Sequence, residues 1–229
     1  MTEEIRKIVT PGEVIIKGND FLPGEGTEKK DLEIIALRYG LAEEHQKLVK
    51  VIPLSGTYSP RRGNVIIGKV ENITFNGWII DVGSANSCFL SLAEVPKYVN
   101  QDDLESVMGI GDMVVAKIFR INRRGIDLSI KSRGLGKIEE GLIIRVNPNK
   151  VPRVIGKEGS MVNLIKNETG CNITVGQNGL IWLRGDKIED ELLAKKAILF
   201  VSENSTINGL TDKLKEWFEG EKNGASKNI

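Results

Sequence analysis

Apolar and polar positions divide the chain into stretches with different rhythms. Between Asn64 and Ile130, short apolar runs separated by turn formers predict five strands: Asn64 to Thr74, Gly77 to Val82, Cys88 to Leu92, Met113 to Asn122 and Ile126 to Ile130. A long connection, Ala93 to Gly111, interrupts them. Upstream, Val14-Ile15-Ile16, Leu32 to Leu37 and Leu48 to Ile52 have strand character, Thr10 to Glu13 reads as a turn, and Phe21 to Lys30 as a loop rich in Gly, Pro and charge. Residues 1–58 are therefore expected to form a small β-domain, bounded by the turn formers between Pro53 and Gly63. His45, the only histidine, lies in the polar stretch Ala42 to Lys47 and reads as an exposed loop residue.

After Ile130 the pattern changes to strands mixed with helices. Gly141 to Val146 reads as a strand, Val151 to Ile155 as a short helical turn, and Gly156-Lys157-Glu158-Gly159 as a glycine-bounded loop. Ser160 to Thr169 then places Met161, Val162, Leu164 and Ile165 on one helical face, with Gly170 as the stop. Cys171 to Val175 and Leu180 to Arg184 flank Gly176-Gln177-Asn178-Gly179, a hairpin signal. Asp186 with Glu189 suggests the N-cap of a helix reaching Val201. Beyond Asn208-Gly209, Leu210, Leu214, Trp217 and Phe218 recur at helical spacing, which predicts a short terminal helix packed on this domain; residues 220–229 are polar and expected to be disordered.

A chain of 229 residues has room for one large domain or for two to three small ones. The two cysteines, Cys88 and Cys171, cannot complete a four-ligand zinc site and read as reduced core residues of a cytoplasmic protein. No apolar run reaches membrane-spanning length. One histidine, no carboxylates at metal-site spacing and no phosphate-binding Gly-x-x-x-x-Gly-Lys-Ser/Thr argue against an enzyme and against a cofactor. The net charge of +1 conceals a cluster: residues 117–157 hold eleven Lys and Arg against only Asp127, Glu139 and Glu140. Such a cluster is usually a solvated face, but here it joins the five strands to the glycine loop and fits a phosphate track.

Gly156 and Gly159 lack Cβ, so a sugar-phosphate backbone can approach the N–H groups between them. Spacing alone favours an ordinary turn. The order strand, helix, Gly-x-x-Gly, helix, strand, strand, helix, however, resembles a type I KH domain, whose loop clamps single-stranded nucleotides by their backbone. That resemblance implies RNA contacts from Lys150, Arg153, Gly156, Lys157, Glu158 and Gly159. Glu158 departs from the usual basic or neutral loop residue, which leaves two roles open, a phosphate clamp or a structural turn.

Five strands with a long third connection suit an OB-type barrel. Gly68 to Gly83, Cys88-Phe89-Leu90-Ser91, Gly111-Asp112-Met113-Val114 and Leu128-Ser129-Ile130-Lys131 resemble the S1 RNA-binding domain. The resemblance places Phe75 and Trp78 at aromatic positions of the binding face, with Phe89 beside them; on charge, Arg120, Arg123, Arg124 and Lys131 are phosphate partners. At least one ring is expected to fill the core instead, and Phe75, beside a turn, is the best candidate for exposure. Ser91 stands where many S1 domains have histidine, Asn122 where many have aspartate, and the turn Asn122 to Gly125 is one residue short.

The expected fold is thus multi-domain, mainly β plus α/β: an N-terminal β-domain (1–58), an S1 barrel (63–133), and a KH domain with a C-terminal helix (138–219). Together with Pro11-Gly12-Glu13, Val51 to Tyr58, Val151 to Gly156 and Gly209 to Asp212, this order resembles the S1- and KH-bearing cap subunits of the archaeal exosome. The resemblance implies a non-catalytic protein that binds single-stranded RNA and guides its 3′ end into a hexameric ring of phosphorolytic RNase-type subunits, with a bias toward A-rich RNA. It further implies ring contact through the N-terminal domain, and a trimeric cap shared with other copies or with a zinc-ribbon cap subunit. Two alternatives stay open on sequence, a free-standing S1/KH transcription or translation factor and a purely structural ring cap.

Overall fold

The computed structural model describes residues 6–97, 100, 103–205, 207 and 209–225. They fall into two compact units, Met1–Gly56 and Thr57–Ile229.

The first unit is built from β1 (Arg6–Val9), β2 (Val14–Lys17), β3 (Leu22–Pro23), β4 (Thr27–Lys30), β5 (Glu33–Ala36), β6 (Gly40–His45) and β7 (Leu48–Pro53). One sheet runs β1-β6-β7-β3 and the other β2-β5-β4. Val9, Ile15, Ile34, Ala36, Ala42, Val49 and Val51 form the core. Gln46 and Lys47, both at positive φ, make the two-residue turn that suits the twist of the β6–β7 hairpin. Two expectations are corrected here. The stretch Phe21 to Lys30 contains two strands, and Ala42 to His45 belongs to β6, with His45 exposed at its end. Their charged residues obscure the pattern because few side chains point inward: Thr27 from β4, whose hydroxyl donates to the Val49 carbonyl at 3.0 Å, and Ala42 from β6.

The second unit opens with a closed barrel of β8 (Val65–Thr74), β9 (Gly77–Asp81), β10 (Cys88–Ser91), β11 (Met113–Asn122) and β12 (Gly125–Ser129). The long connection carries α1 (Leu104–Val107), from which Leu104 reaches into the barrel core. Neighbours run β12-β10-β9-β8-β11, and β12 pairs again with β11 to close the barrel. A strand not legible in the pattern, β13 (Gly136–Ile138), adds to β11. Lys137 anchors it through an ion pair with Asp112 at 2.6 Å; that lysine, and the Gly109 N–H, hold the Asp112 carboxyl below the usual range.

The α/β module comprises β14 (Leu142–Arg145), α2 (Val151–Ile155), α3 (Ser160–Thr169), β15 (Asn172–Val175), β16 (Leu180–Arg184), α4 (Ile188–Glu203) and α5 (Leu210–Ala225). Its sheet is antiparallel in the order β14-β16-β15. Leu210, Leu214 and Phe218 bury one face of α5, and Trp217 stacks on Phe200 of α4 at 5.6 Å. Two details differ from expectation. The N-cap of α4 is Lys187 without a side-chain bond, and the Gly185 N–H is taken by Glu191 instead of a capping box at Asp186. Helix α5 also continues through Gly220 to Ala225, and residues 226–229 lie outside the described residues. No helix among the described residues is long and apolar enough to cross a membrane.

Both cysteines are buried free thiols. Burial pushes the Cys88 thiol from an ordinary value near 9 up to about 11. The neutral thiol therefore stabilises the fold fully below pH 9, and this contribution is lost as pH rises toward 11. The urea midpoint of the barrel is expected to fall across that window by the equivalent of roughly 2 kcal/mol. Cys88→Ala should make the fall shallower, the remainder coming from Tyr58, whose hydroxyl is also pushed up by burial; an unchanged slope in that variant would assign the whole fall to other groups.

Candidate nucleic-acid interface

Strand register lays out the outer surface of the barrel. Arg120 sits opposite Asp127, Asp127 opposite Phe89, Phe89 opposite Ile79 and Ile79 opposite Asn72, so these side chains share a row across five strands. Alongside, Lys117 lies opposite Ser129, and Ser91 opposite Gly77, which faces Thr74. Phe75 occupies the turn at the end of this second row and is 78% exposed. The Thr74 hydroxyl bonds the Gly77 carbonyl at 3.0 Å and Asn76 Oδ1 at 3.2 Å, which pins that turn. One barrel face thus brings together Phe75 and half-buried Phe89 with Arg120, while Lys117 is a cation that sequence reading left out of the site. The bulge after Ile118 hides its position, because counting alternate residues along β11 loses register there.

Trp78 is not part of this face. It alternates inward with Ile80, is fully buried, and its indole N–H donates to the Met108 carbonyl at 2.9 Å. A ring with no exposed face cannot stack on a base, so its expected role as a binding-face aromatic is corrected to a core role.

The basic cluster separates into committed and available side chains. Arg120 donates from Nε to Asp127 Oδ2 at 2.8 Å, and Lys131 pairs with Glu94 at 3.3 Å. Asn122 Nδ2 shares the same Asp127 oxygen at 3.2 Å, while its Oδ1 accepts the Arg124 N–H at 2.8 Å. A neutral amide at 122 therefore avoids placing a second carboxylate beside Asp127. Arg123 and Arg124 are exposed on the β11–β12 turn and make no ion pair among the described residues.

In the α/β module, Gly156 closes α2 and bends the chain at φ +75°, where a Cβ would lie 2.7 Å from the Met161 backbone nitrogen. Glu158 is left-handed at φ 53° and exposed, and Gly159, at φ 81°, leads into α3 with no side-chain cap on that helix. Arg153 and Lys157 are exposed and Lys150 half-buried. The loop thus offers uncapped N–H groups and cations, with the Glu158 carboxylate opposing an anion.

The β15–β16 turn does more than reverse the chain. Asn178, only 8% exposed, inserts its amide against the barrel: Nδ2 donates to the Ile67 carbonyl at 2.7 Å and the Val82 carbonyl at 3.0 Å, and Oδ1 accepts the Ile67 N–H at 3.2 Å. Gln177 N–H adds a bond to the Val65 carbonyl at 2.8 Å. At Gly176 a Cβ would lie 2.8 Å from the Leu180 carbonyl oxygen and 3.0 Å from the Ile67 nitrogen, so the tight turn against the barrel requires glycine. Strand β9 reaches only as far as Lys69, leaving this part of β8 open on that side, and the asparagine amide takes the place of the missing strand. This joint sets the glycine loop in the same body as the barrel face.

A family model described as KH domain matches residues 141–199. Exosome complex component Rrp4 of Methanothermobacter thermautotrophicus is 38% identical over 212 residues, covering 92% of this chain and 67% of that protein. Rrp4 of Methanothermus fervidus is 38% identical over 213 residues, covering 93% and 95% respectively. A crystal structure described as that of an exosome complex RNA-binding protein superposes with a TM-score of 0.65 at 32% identity, covering 73% of this chain and 98% of the other. With this identity across nearly its whole length, the chain belongs to the family of exosome complex component Rrp4.

Proposed function

We propose that the chain is a non-catalytic cap component of an exosome complex that binds single-stranded RNA and guides its 3′ end into a hexameric ring of phosphorolytic RNase-type subunits. The observation that carries this reading is the single barrel face that unites Phe75, Phe89, Arg120 and Lys117, in a member of the Rrp4 family. Aromatic rings stack on unpaired bases of any identity, and the cations meet phosphates. Arg123, Arg124 and Lys131 at the barrel rim, and Lys150, Arg153, Lys157 and the two loop glycines in the KH module, extend the contact. Weak sites on several copies around one pore gain from high local concentration, whether the other cap subunits are further copies or zinc-ribbon partners. In the Met1–Gly56 unit, Ile8, Leu41 and Ile52 align across β1, β6 and β7, with Ile8 53% and Ile52 38% exposed. That apolar row supports docking of this unit on the ring.

Fluorescence anisotropy with a labelled A-rich single strand tests the reading. Engagement of about three phosphates predicts a log–log salt slope near −2. Phe75→Ala is expected to weaken binding about tenfold, the loss of one stacked base, without changing the melting temperature. Adding the ring is expected to tighten binding well beyond the isolated chain. Ring assembly without any gain in RNA affinity would leave a structural cap, and RNA binding without assembly a free-standing RNA-binding factor.

A further inference from the structure

Phe119 is left unexplained by the core and by the resemblance to S1 domains. It is the extra residue of a bulge: Ile118 pairs with Leu128 and Arg120 with Asp127, so nothing opposes it across the ladder. Bulges re-aim side chains, and here the ring is 39% exposed although Ile118 beside it is fully buried. The Arg120 guanidinium lies over the ring, its carbon 5.5 Å from the centroid. Its Nε is tethered to Asp127, yet the Arg120 side chain remains 64% exposed. The result is an exposed ring with a planar cation over it, and that cation is held in position by a carboxylate.

We propose that Phe119 and Arg120 form a base-stacking platform for single-stranded RNA at the β11 edge of the barrel face. This rests on the RNA-binding reading above and extends it. Unpaired bases stack on aromatic rings and on arginine planes alike, so a base laid on this pair meets two groups already held together and orders little that is still free. The register gives the platform its place. Phe89 lies two strands away in the row of Arg120, and Phe75 occupies the β8–β9 turn at the end of the neighbouring row. An RNA crossing β11, β12 and β10 on the outer surface therefore meets the Phe119–Arg120 pair and then Phe89. Lys117, two residues before Phe119 and free of ion pairs among the described residues, supplies a cation for the adjoining phosphate.

The test uses the full chain and fluorescein-labelled oligoadenylate, with affinity measured by anisotropy at several salt concentrations. Phe119→Ala is expected to weaken binding about tenfold with an unchanged salt slope, because a stacking surface is lost but no charge. Phe119→Tyr, which keeps the ring, is expected to stay within about twofold of wild type. Arg120→Lys, which keeps the charge and removes the plane, is expected to lose affinity severalfold at the same slope. Wild-type affinity in Phe119→Ala beside a weakened Phe75→Ala would overturn the platform and leave the RNA-binding reading standing. A loss in Phe119→Ala that Phe119→Tyr does not restore would also overturn it, by assigning the residue to packing. If Phe119→Ala keeps its RNA affinity and instead loses ring assembly, the edge belongs to a protein contact and the proposal fails. No binding of oligoadenylate by the wild-type chain would overturn both readings together.

Discussion

Trp78→Ala is expected to lower the unfolding free energy of the Thr57–Ile229 unit by about 4 kcal/mol, the usual cost of emptying a large aromatic site in a packed core. Trp78 is among the largest fully buried side chains, and its indole bonds the carbonyl that closes the segment after α1. Truncation opens a cavity between the strands and leaves the Met108 carbonyl without its donor. Trp78→Phe refills most of the volume and is expected to cost about 1–2 kcal/mol, chiefly the hydrogen bond. Urea denaturation followed by far-UV circular dichroism measures both. The same variants separate packing from binding: Trp78→Phe should shift the urea midpoint and leave RNA affinity alone, whereas Phe75→Ala should do the reverse. RNA affinity that falls in Trp78→Phe at an unchanged midpoint would return the indole to the binding face.

Asn178→Asp is expected to cost about 3 kcal/mol and to break the cooperativity between barrel and KH module. The substitution removes both donors and sets a carboxylate against the Ile67 and Val82 carbonyls in a site 8% exposed. Burial beside those carbonyls raises the introduced carboxyl's pKa, and protonation restores one donor, so the deficit narrows as pH falls. In the wild-type chain, tryptophan fluorescence and circular dichroism should report one coincident urea transition for this unit. In Asn178→Asp they should separate into two. Coincident transitions with an unchanged midpoint would show that the turn contributes nothing to the joint.

Much of this architecture is legible in the sequence because local and global signals agree. The barrel strands, the hairpin at Gly176 to Gly179 and the helix stop at Gly170 combine apolar runs with turn residues that fit only one backbone. Legibility fails where a side chain's role depends on a distant partner. Asn178 reads as a turn former, and its turn does reverse the chain, yet its amide answers carbonyls 111 and 96 residues away. At Trp78 the family resemblance points outward and strand alternation inward; the core settles it, since the site between β9 and α1 demands a large apolar group. Strand β4 escapes notice because Glu28, Lys29 and Lys30 outnumber the one residue it buries. Of the site, Phe75 and the glycine loop are readable from turn chemistry. Lys117 and Phe119 are not, because only the bulge at Ile118 determines where they lie.

The asparagine that stands in for a strand also bears on the order of assembly. The barrel's own strands end at Ser129, so every one of them is available before the residue that closes the β8 edge. Chains fold from the N-terminus as they are synthesised, and an unpaired strand edge is a template for association with other chains. The newly made barrel is therefore most vulnerable between completion of β12 and formation of the β15–β16 hairpin, and a chain truncated within that interval keeps an adhesive edge permanently.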